Sequence, residues 1–110
     1  MIPTKFFGST RVSSYSTVKE AVIQLTKLMA VELASYNIQV NAIAPGWLET
    51  NRTAPVKTNQ ALYDELLLRT PADRWNQPKE LAGTAVFLAS RVSNFVNGET
   101  IRINGGYTIR

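Results

Sequence analysis

The sequence predicts an α/β fold with a parallel sheet, and three observations lead there. A helical period over residues 14–35 is followed by a short β-branched run, Ile38–Ala44, that stops at Pro45-Gly46. A second helical pattern starts at Pro78 or Lys79 and reaches about Ser90. It leads into another strand-like run, Glu99–Ile103. Two strands separated by helix are expected to lie side by side and parallel, joined by a right-handed crossover.

In chain order, residues 1–12 read as an irregular entry with a Gly8-Ser9-Thr10 turn cluster, and Ser13 and Ser14 as helix N-cap candidates. The first helix carries Val18, Val22, Leu25, Met29 and Leu33 at helical spacing, with Ala21, Leu28 and Ala30 widening the apolar face. Such a face suits either a well-buried core helix or one shared between a sheet and a partner subunit. Tyr36-Asn37 ends it. The run Ile38–Ala44 has the character of a buried parallel strand. Residues 47–59 are polar and loop-like, Gln60–Arg69 form a short helix, and residues 70–78 a loop. Leu81, Ala85, Val86, Leu88 and Ala89 are the apolar set of the next helix. Asn94–Gly98 turn into the last strand, which points Ile101 and Ile103 inward and stops at Asn104-Gly105-Gly106. Two parallel strands leave an apolar edge unpaired, which invites self-association.

Composition narrows the chemistry. With 110 residues the chain makes one domain at most, and 45% hydrophobic with 18% charged residues place it among soluble globular proteins. It has no cysteine and no histidine, which removes thiol nucleophiles, thiolate sites and the commonest base. Tyrosine and lysine are left as the leading proton-transfer groups. The net charge of +4 is scattered rather than clustered, so no nucleic-acid partner is expected. Pro3, Lys5 and Gly8 interrupt any leader-like run, and no apolar stretch approaches membrane-spanning length. A cytoplasmic protein without a membrane partner is the expectation.

Ser14-Tyr15-Ser16-Thr17-Val18-Lys19 carries the candidate chemistry. Tyr15 and Lys19 are four residues apart, on one helix face, and an ammonium near a phenol favours the phenolate. The bland alternative is a tyrosine packed on its own turn beside a solvated lysine.

Several ordered pieces resemble the carboxyl-terminal portion of the short-chain dehydrogenase/reductase family. Tyr15-Ser16-Thr17-Val18-Lys19 resembles its Tyr-x-x-x-Lys motif, and Asn37 through Gly46 its following strand and Pro-Gly turn, with Thr50 at the place of a cofactor-contacting threonine. Pro71-Ala72-Asp73-Arg74-Trp75, Pro78-Lys79-Glu80, Phe87-Leu88-Ala89-Ser90 and Asn97-Gly98 through Gly106 resemble its last helix and strand. The phrases around Arg74-Trp75 and Asn97-Gly98 look most like the sugar-acid branch, the gluconate and deoxygluconate dehydrogenases.

The resemblance implies one partial domain, residues 1–110, that forms the carboxyl-terminal part of a Rossmann-like doubly wound parallel sheet. It also implies NAD or NADP, an alcohol or ketone substrate, and a homo-oligomer in which the first helix contributes to the interface. Tyr15 would be the general acid/base, and Lys19 would lower its pKa and bind the nicotinamide ribose. Pro45 and Gly46 would lie against the nicotinamide, Thr50 would hydrogen-bond it, and residues 47–59 would form a substrate lid. Arg11, one turn before Tyr15, could grip a substrate carboxylate. Three departures stand out: Ile2 occupies the family's catalytic-serine position, Asn104 replaces an aspartate, and no glycine-rich turn for a pyrophosphate occurs. The isolated chain is therefore expected to be inactive and to bind no cofactor by itself. The competing expectation is a non-catalytic dehydrogenase remnant that acts as an oligomerising module.

Overall fold

The computed structural model describes the backbone of residues 10–109 and the side chains of residues 17–109. Helix α1 spans Thr10–Leu33, strand β1 Ala42–Pro45, helix α2 Ala54–Thr58, helix α3 Gln60–Leu68, helix α4 Ala82–Ala89 and strand β2 Thr100–Ile103. The two strands pair in parallel, from Ala42 opposite Thr100 to Pro45 opposite Ile103. The expected α/β order is present.

The boundaries of α1 differ for local reasons. Thr10–Val12 are already helical, and Ser13 and Ser14 lie inside α1 rather than capping it. Nothing between Thr10 and Ser14 is proline or glycine, so no residue there stops the helix from extending upstream. The expected irregular entry is not met over Thr10–Val12, and its first nine residues, with most of the Gly8-Ser9-Thr10 turn, lie outside those described. At the other end, α1 tightens into a 3-10 turn at Ala34–Tyr36, and Asn37 caps it at φ 58°. Asparagine tolerates that left-handed conformation better than other side-chain-bearing residues.

Strand β1 starts at Ala42 rather than Ile38, because side-chain amides replace its first ladder bonds. Asn97 Oδ1 accepts from the Val40 N–H at 3.0 Å, while Asn97 Nδ2 donates to the Ala30 carbonyl of α1 at 3.2 Å. Asn41 Nδ2 donates to the Val96 carbonyl and Asn41 Oδ1 accepts from the Glu99 N–H, both at 3.0 Å. Side chains of this kind compete with regular ladders. Further along, Ala42 N–H reaches Glu99 and Gly46 N–H reaches Ile103, both at 2.9 Å. The intervening Ile43 and Pro45 turn their backbone toward the open edge, where proline offers no donor.

The segment after β1 is more ordered than a loop. Leu48 bridges to Asn76, and α2 forms within the expected lid. The helix over residues 60–69 is α3, capped by Asn59, whose side chain accepts from the Leu62 N–H at 3.3 Å.

The buried core gathers here. Leu66, Trp75 and Tyr107 are buried, with Trp47, Val56, Leu62, Tyr63 and Leu67 packed against them. Helix α1 is different. Thr26 and Ala30 are buried, whereas Val18, Val22, Leu25, Leu28 and Val31 are half or more exposed. The reading of α1 as a well-buried core helix is not met. Its 24 residues extend about 36 Å at 1.5 Å per residue, and two four-residue strands of about 13 Å cannot cover that length. Pro78–Leu81 form a 3-10 turn ahead of α4; Leu81 there and Leu88 in α4 are half-buried, but Ala85, Val86 and Ala89 of the expected apolar set are exposed. In β2, Ile101 and Ile103 are half-buried and Arg102 is exposed, as the alternation expects, but Thr100 at its start is half-buried as well.

Candidate active site

In an open parallel sheet, ligands sit beyond the carboxyl ends of the strands. Here that end of β1 is Pro45, followed by Gly46 and Trp47. Between α1 and β1 lies a largely apolar cleft of about 200 Å³. Val18, Lys19, Val22 and Ile23 line one wall, and Ala42, Ile43 and Ala44 the other. Lys19 is half-buried on this wall, so the structure brings it against the strand that runs into the Pro-Gly turn. Tyr15 and Arg11 lie in the first turns of the same helix, and their side chains are outside the described residues.

Gly46 has a structural requirement of its own. A Cβ there would stand 2.7 Å from Asn104 Cβ and 2.8 Å from Asn104 Cα. Asn104 cannot give way easily. It sits at the end of β2, its Oδ1 accepts from the Gly106 N–H at 3.1 Å, and its Nδ2 donates to Thr108 Oγ1 at 3.0 Å. Gly46→Ala is expected to lower stability by about 1–3 kcal/mol, the usual cost of forcing an atom into packed space. Urea denaturation checks it, and an unchanged midpoint would contradict the close approach.

Thr50 is exposed and does not line the α1/β1 cleft. It opens a turn in which its carbonyl accepts from the Thr53 and Ala54 N–H groups at 3.2 and 3.1 Å, and its own N–H donates to Thr53 Oγ1 at 3.0 Å. Between Gly46 and Thr50 lie Trp47, Leu48 and Glu49. Trp47 stacks on Trp75 at 5.4 Å between ring centres and 20° between planes, while Tyr63 meets Trp75 edge-on at 5.0 Å. Glu49 Oε1 pairs with Lys57 Nζ at 2.8 Å and Glu49 Oε2 accepts from Gln77 Nε2 at 2.6 Å. The lysine ammonium, then the Gln77 amide, hold this carboxyl below its usual range.

Arg74 is engaged bidentately by Glu80, at 2.6 and 2.7 Å. That guanidinium, followed by the Gln77 N–H, pulls the Glu80 carboxyl down to about 2. Arg74 therefore fixes the start of α4 rather than standing ready for a substrate. Tyr107, the other tyrosine near the strand ends, is buried, and burial pushes its phenol up, away from use as a base at neutral pH. Trp47, Trp75 and the Glu49 carboxylate were not among the sequence-derived site residues. The signal available was the pair of tryptophans in short polar stretches, a poor place for an aromatic unless it packs on another.

Residues 4–108 match the family model described as Enoyl-(Acyl carrier protein) reductase. The 2-dehydro-3-deoxy-D-gluconate 5-dehydrogenase of Dickeya dadantii (strain 3937) is 50% identical over 105 residues, which are 96% of this chain and 42% of that protein. The chain belongs to the short-chain dehydrogenase/reductase family. Gluconate 5-dehydrogenase of Gluconobacter oxydans (strain 621H) is 43% identical, over 89% of this chain and 38% of its own. The solved gluconate 5-dehydrogenase from Burkholderia cenocepacia J2315, in complex with NADP and tartrate, superposes with a TM-score of 0.84 and 47% identity. That match covers 87% of this chain and 38% of the other. A 4-hydroxyisoleucine dehydrogenase complexed with NADH gives a TM-score of 0.87 at 31% identity, over 97% of this chain and 44% of its own. The two-stranded sheet is thus part of a Rossmann-like fold, and this chain spans about two-fifths of the length of the curated relatives it matches. Among the described residues, no helix is long and apolar enough to cross a membrane and no cluster of acidic side chains could hold a metal ion.

Proposed function

We propose that this chain supplies the catalytic helix and the nicotinamide-facing turn of an NAD(P)-dependent oxidoreductase. The reaction interconverts a secondary alcohol and a ketone on a sugar acid or polyol. Half-buried Lys19, lining a cleft whose other wall runs into Pro45-Gly46, carries this reading. The names of the relatives, and the complex of one solved relative with NADP and tartrate, support the substrate class.

Tyr15 exchanges a proton with the substrate oxygen. Lys19, one turn along the same helix, lowers the phenol's pKa and binds the ribose. Pro45, Gly46 and Thr50 hold the nicotinamide, which when bound supplies or accepts the hydride. Arg11 meets the substrate carboxylate; an unchanged KM for the sugar acid after Arg11→Glu would remove that role. These residues fit the nicotinamide end of the cofactor, whereas the chain has no glycine-rich turn to hold the pyrophosphate. Residues 1–110 accordingly form one partial domain, cytoplasmic and homo-oligomeric, and inactive when isolated. A second reading, a non-catalytic oligomerising module, is favoured by the exposed Val18, Val22, Leu25 and Val31 of α1.

A chimera separates the two. Residues 4–108 replace the matching part of the Dickeya dadantii relative, and turnover of 2-dehydro-3-deoxy-D-gluconate is followed through NAD(P)H absorbance. Turnover by the chimera, with none from the isolated chain, is the expected result. A folded chimera that binds NADPH without turning over would leave the oligomerising module standing.

A further inference from the structure

Helix α2 and the turn before it form a strap, residues 50–58, in which Thr50, Asn51 and Arg52 are exposed. Exposed polar turns of this kind are ordinarily among the first segments to open. This one is closed at both ends by a single side chain. Glu49 Oε1 pairs with Lys57 Nζ, eight residues further on, at 2.8 Å. Glu49 Oε2 accepts from Gln77 Nε2 at 2.6 Å, and the Glu49 N–H donates to the Asn76 carbonyl at 2.9 Å. The start of the strap, its end and the loop ahead of α4 therefore meet at one carboxylate. Gln77 continues the connection, since its N–H donates to Glu80 Oε1 at 2.9 Å and Glu80 holds Arg74. Lys57 also stands over the Tyr63 ring, 5.9 Å from its centre, so its ammonium is directed from two sides.

We infer that Glu49 is a positioning residue for Thr50. By clamping Lys57 and Gln77 it holds the Thr50–Thr53 turn in one conformation beyond the end of β1. The inference rests on the reading that Thr50 faces the nicotinamide. An isolated exposed ion pair contributes little, but here the pair closes a short loop whose other end is already fixed by the backbone at Asn76. The carboxylate charge matters because one group must serve an ammonium and an amide at once.

Amide hydrogen exchange on the 110-residue chain tests the clamp without any cofactor. In Glu49→Gln the Thr53 and Ala54 amides, which donate to the Thr50 carbonyl, should exchange about three- to fivefold faster, while Leu66 in α3 and Ile101 in β2 stay unchanged. Reversing the pair, Glu49→Lys with Lys57→Glu, should restore slow exchange, because the Gln77 amide can turn its oxygen to the introduced ammonium. Unchanged exchange at Thr53 and Ala54, or equal acceleration at Leu66, overturns the clamp. In the chimera, Glu49→Gln should weaken NADPH binding and the reversed pair recover it. Faster exchange with unaltered NADPH affinity overturns the positioning of Thr50. If the chimera carrying the unaltered chain binds no NADPH, the functional reading is what fails, and the clamp is then judged by exchange alone.

Discussion

Replacing Tyr15 by phenylalanine in the chimera is expected to lower kcat by about 10²–10⁴-fold, the span attributed to a positioned proton-transfer group. The substitution removes one oxygen and keeps the ring, so packing and helix propensity hardly change. A tyrosine that merely packs on its own turn would lose almost nothing. The backbone of α1 runs unbroken through Tyr15 and Lys19, which places them one turn apart on the same face. Lys19→Met gives the second half of the result. Without the ammonium the phenol's pKa rises, so the rate of alcohol oxidation should reach its plateau at higher pH. A Tyr15→Phe chimera within threefold of the parent would refute the catalytic role, and a Lys19→Met pH profile coincident with the parent's would refute the lysine's part in it.

How much of this was legible in the sequence depends on the distance over which each feature is decided. Tyr15 and Lys19 on one helix, and Pro45-Gly46 at a strand end, are local patterns, and the structure carries both. Where β1 begins is not local. It is decided by Asn97, whose amide reaches back to Val40 and Ala30 from a turn late in the chain. The order within residues 47–59 is not local for the same reason: Leu48 bridges to Asn76, and Trp47 finds its stacking partner in Trp75. The apolar face of α1 shows a different limit. Periodicity tells which residues want to be covered, but coverage depends on the area of the surface opposite, and two short strands do not provide it. Gly46 shows a third. A glycine after a proline reads as a turn residue, yet its demand arises from the approach of Asn104 on the neighbouring strand.

Trp75 is where the largest loss of stability is expected. It is 3% exposed, flanked by the stacked Trp47 and the edge-on Tyr63, and packed with Leu66 and Tyr107. Truncation to alanine should cost about 3–5 kcal/mol, since the lost transfer energy is joined by a cavity that neighbouring rings cannot fill. Whole domains are stable by only about 5–15 kcal/mol, so Trp75→Ala is expected to leave much of the chain unfolded at 25 °C. Trp75→Phe retains a ring against Tyr63 and should lose less, about 1–2 kcal/mol, which keeps the test readable by urea denaturation. The effect should reach the site. Next to Trp75, the Asn76 N–H donates to the Trp47 carbonyl at 2.8 Å, and Asn76 in turn accepts from Glu49. A loosened Trp75 therefore frees both the residue after Gly46 and the residue before Thr50. Trp75→Phe in the chimera should weaken NADPH binding through these two backbone bonds of Asn76. A Trp75→Ala chain that unfolds at the parent's urea midpoint would show that the core lies elsewhere. A Trp75→Phe chimera with the parent's NADPH affinity would show that the aromatic stack and the turn from Gly46 to Thr50 are independent.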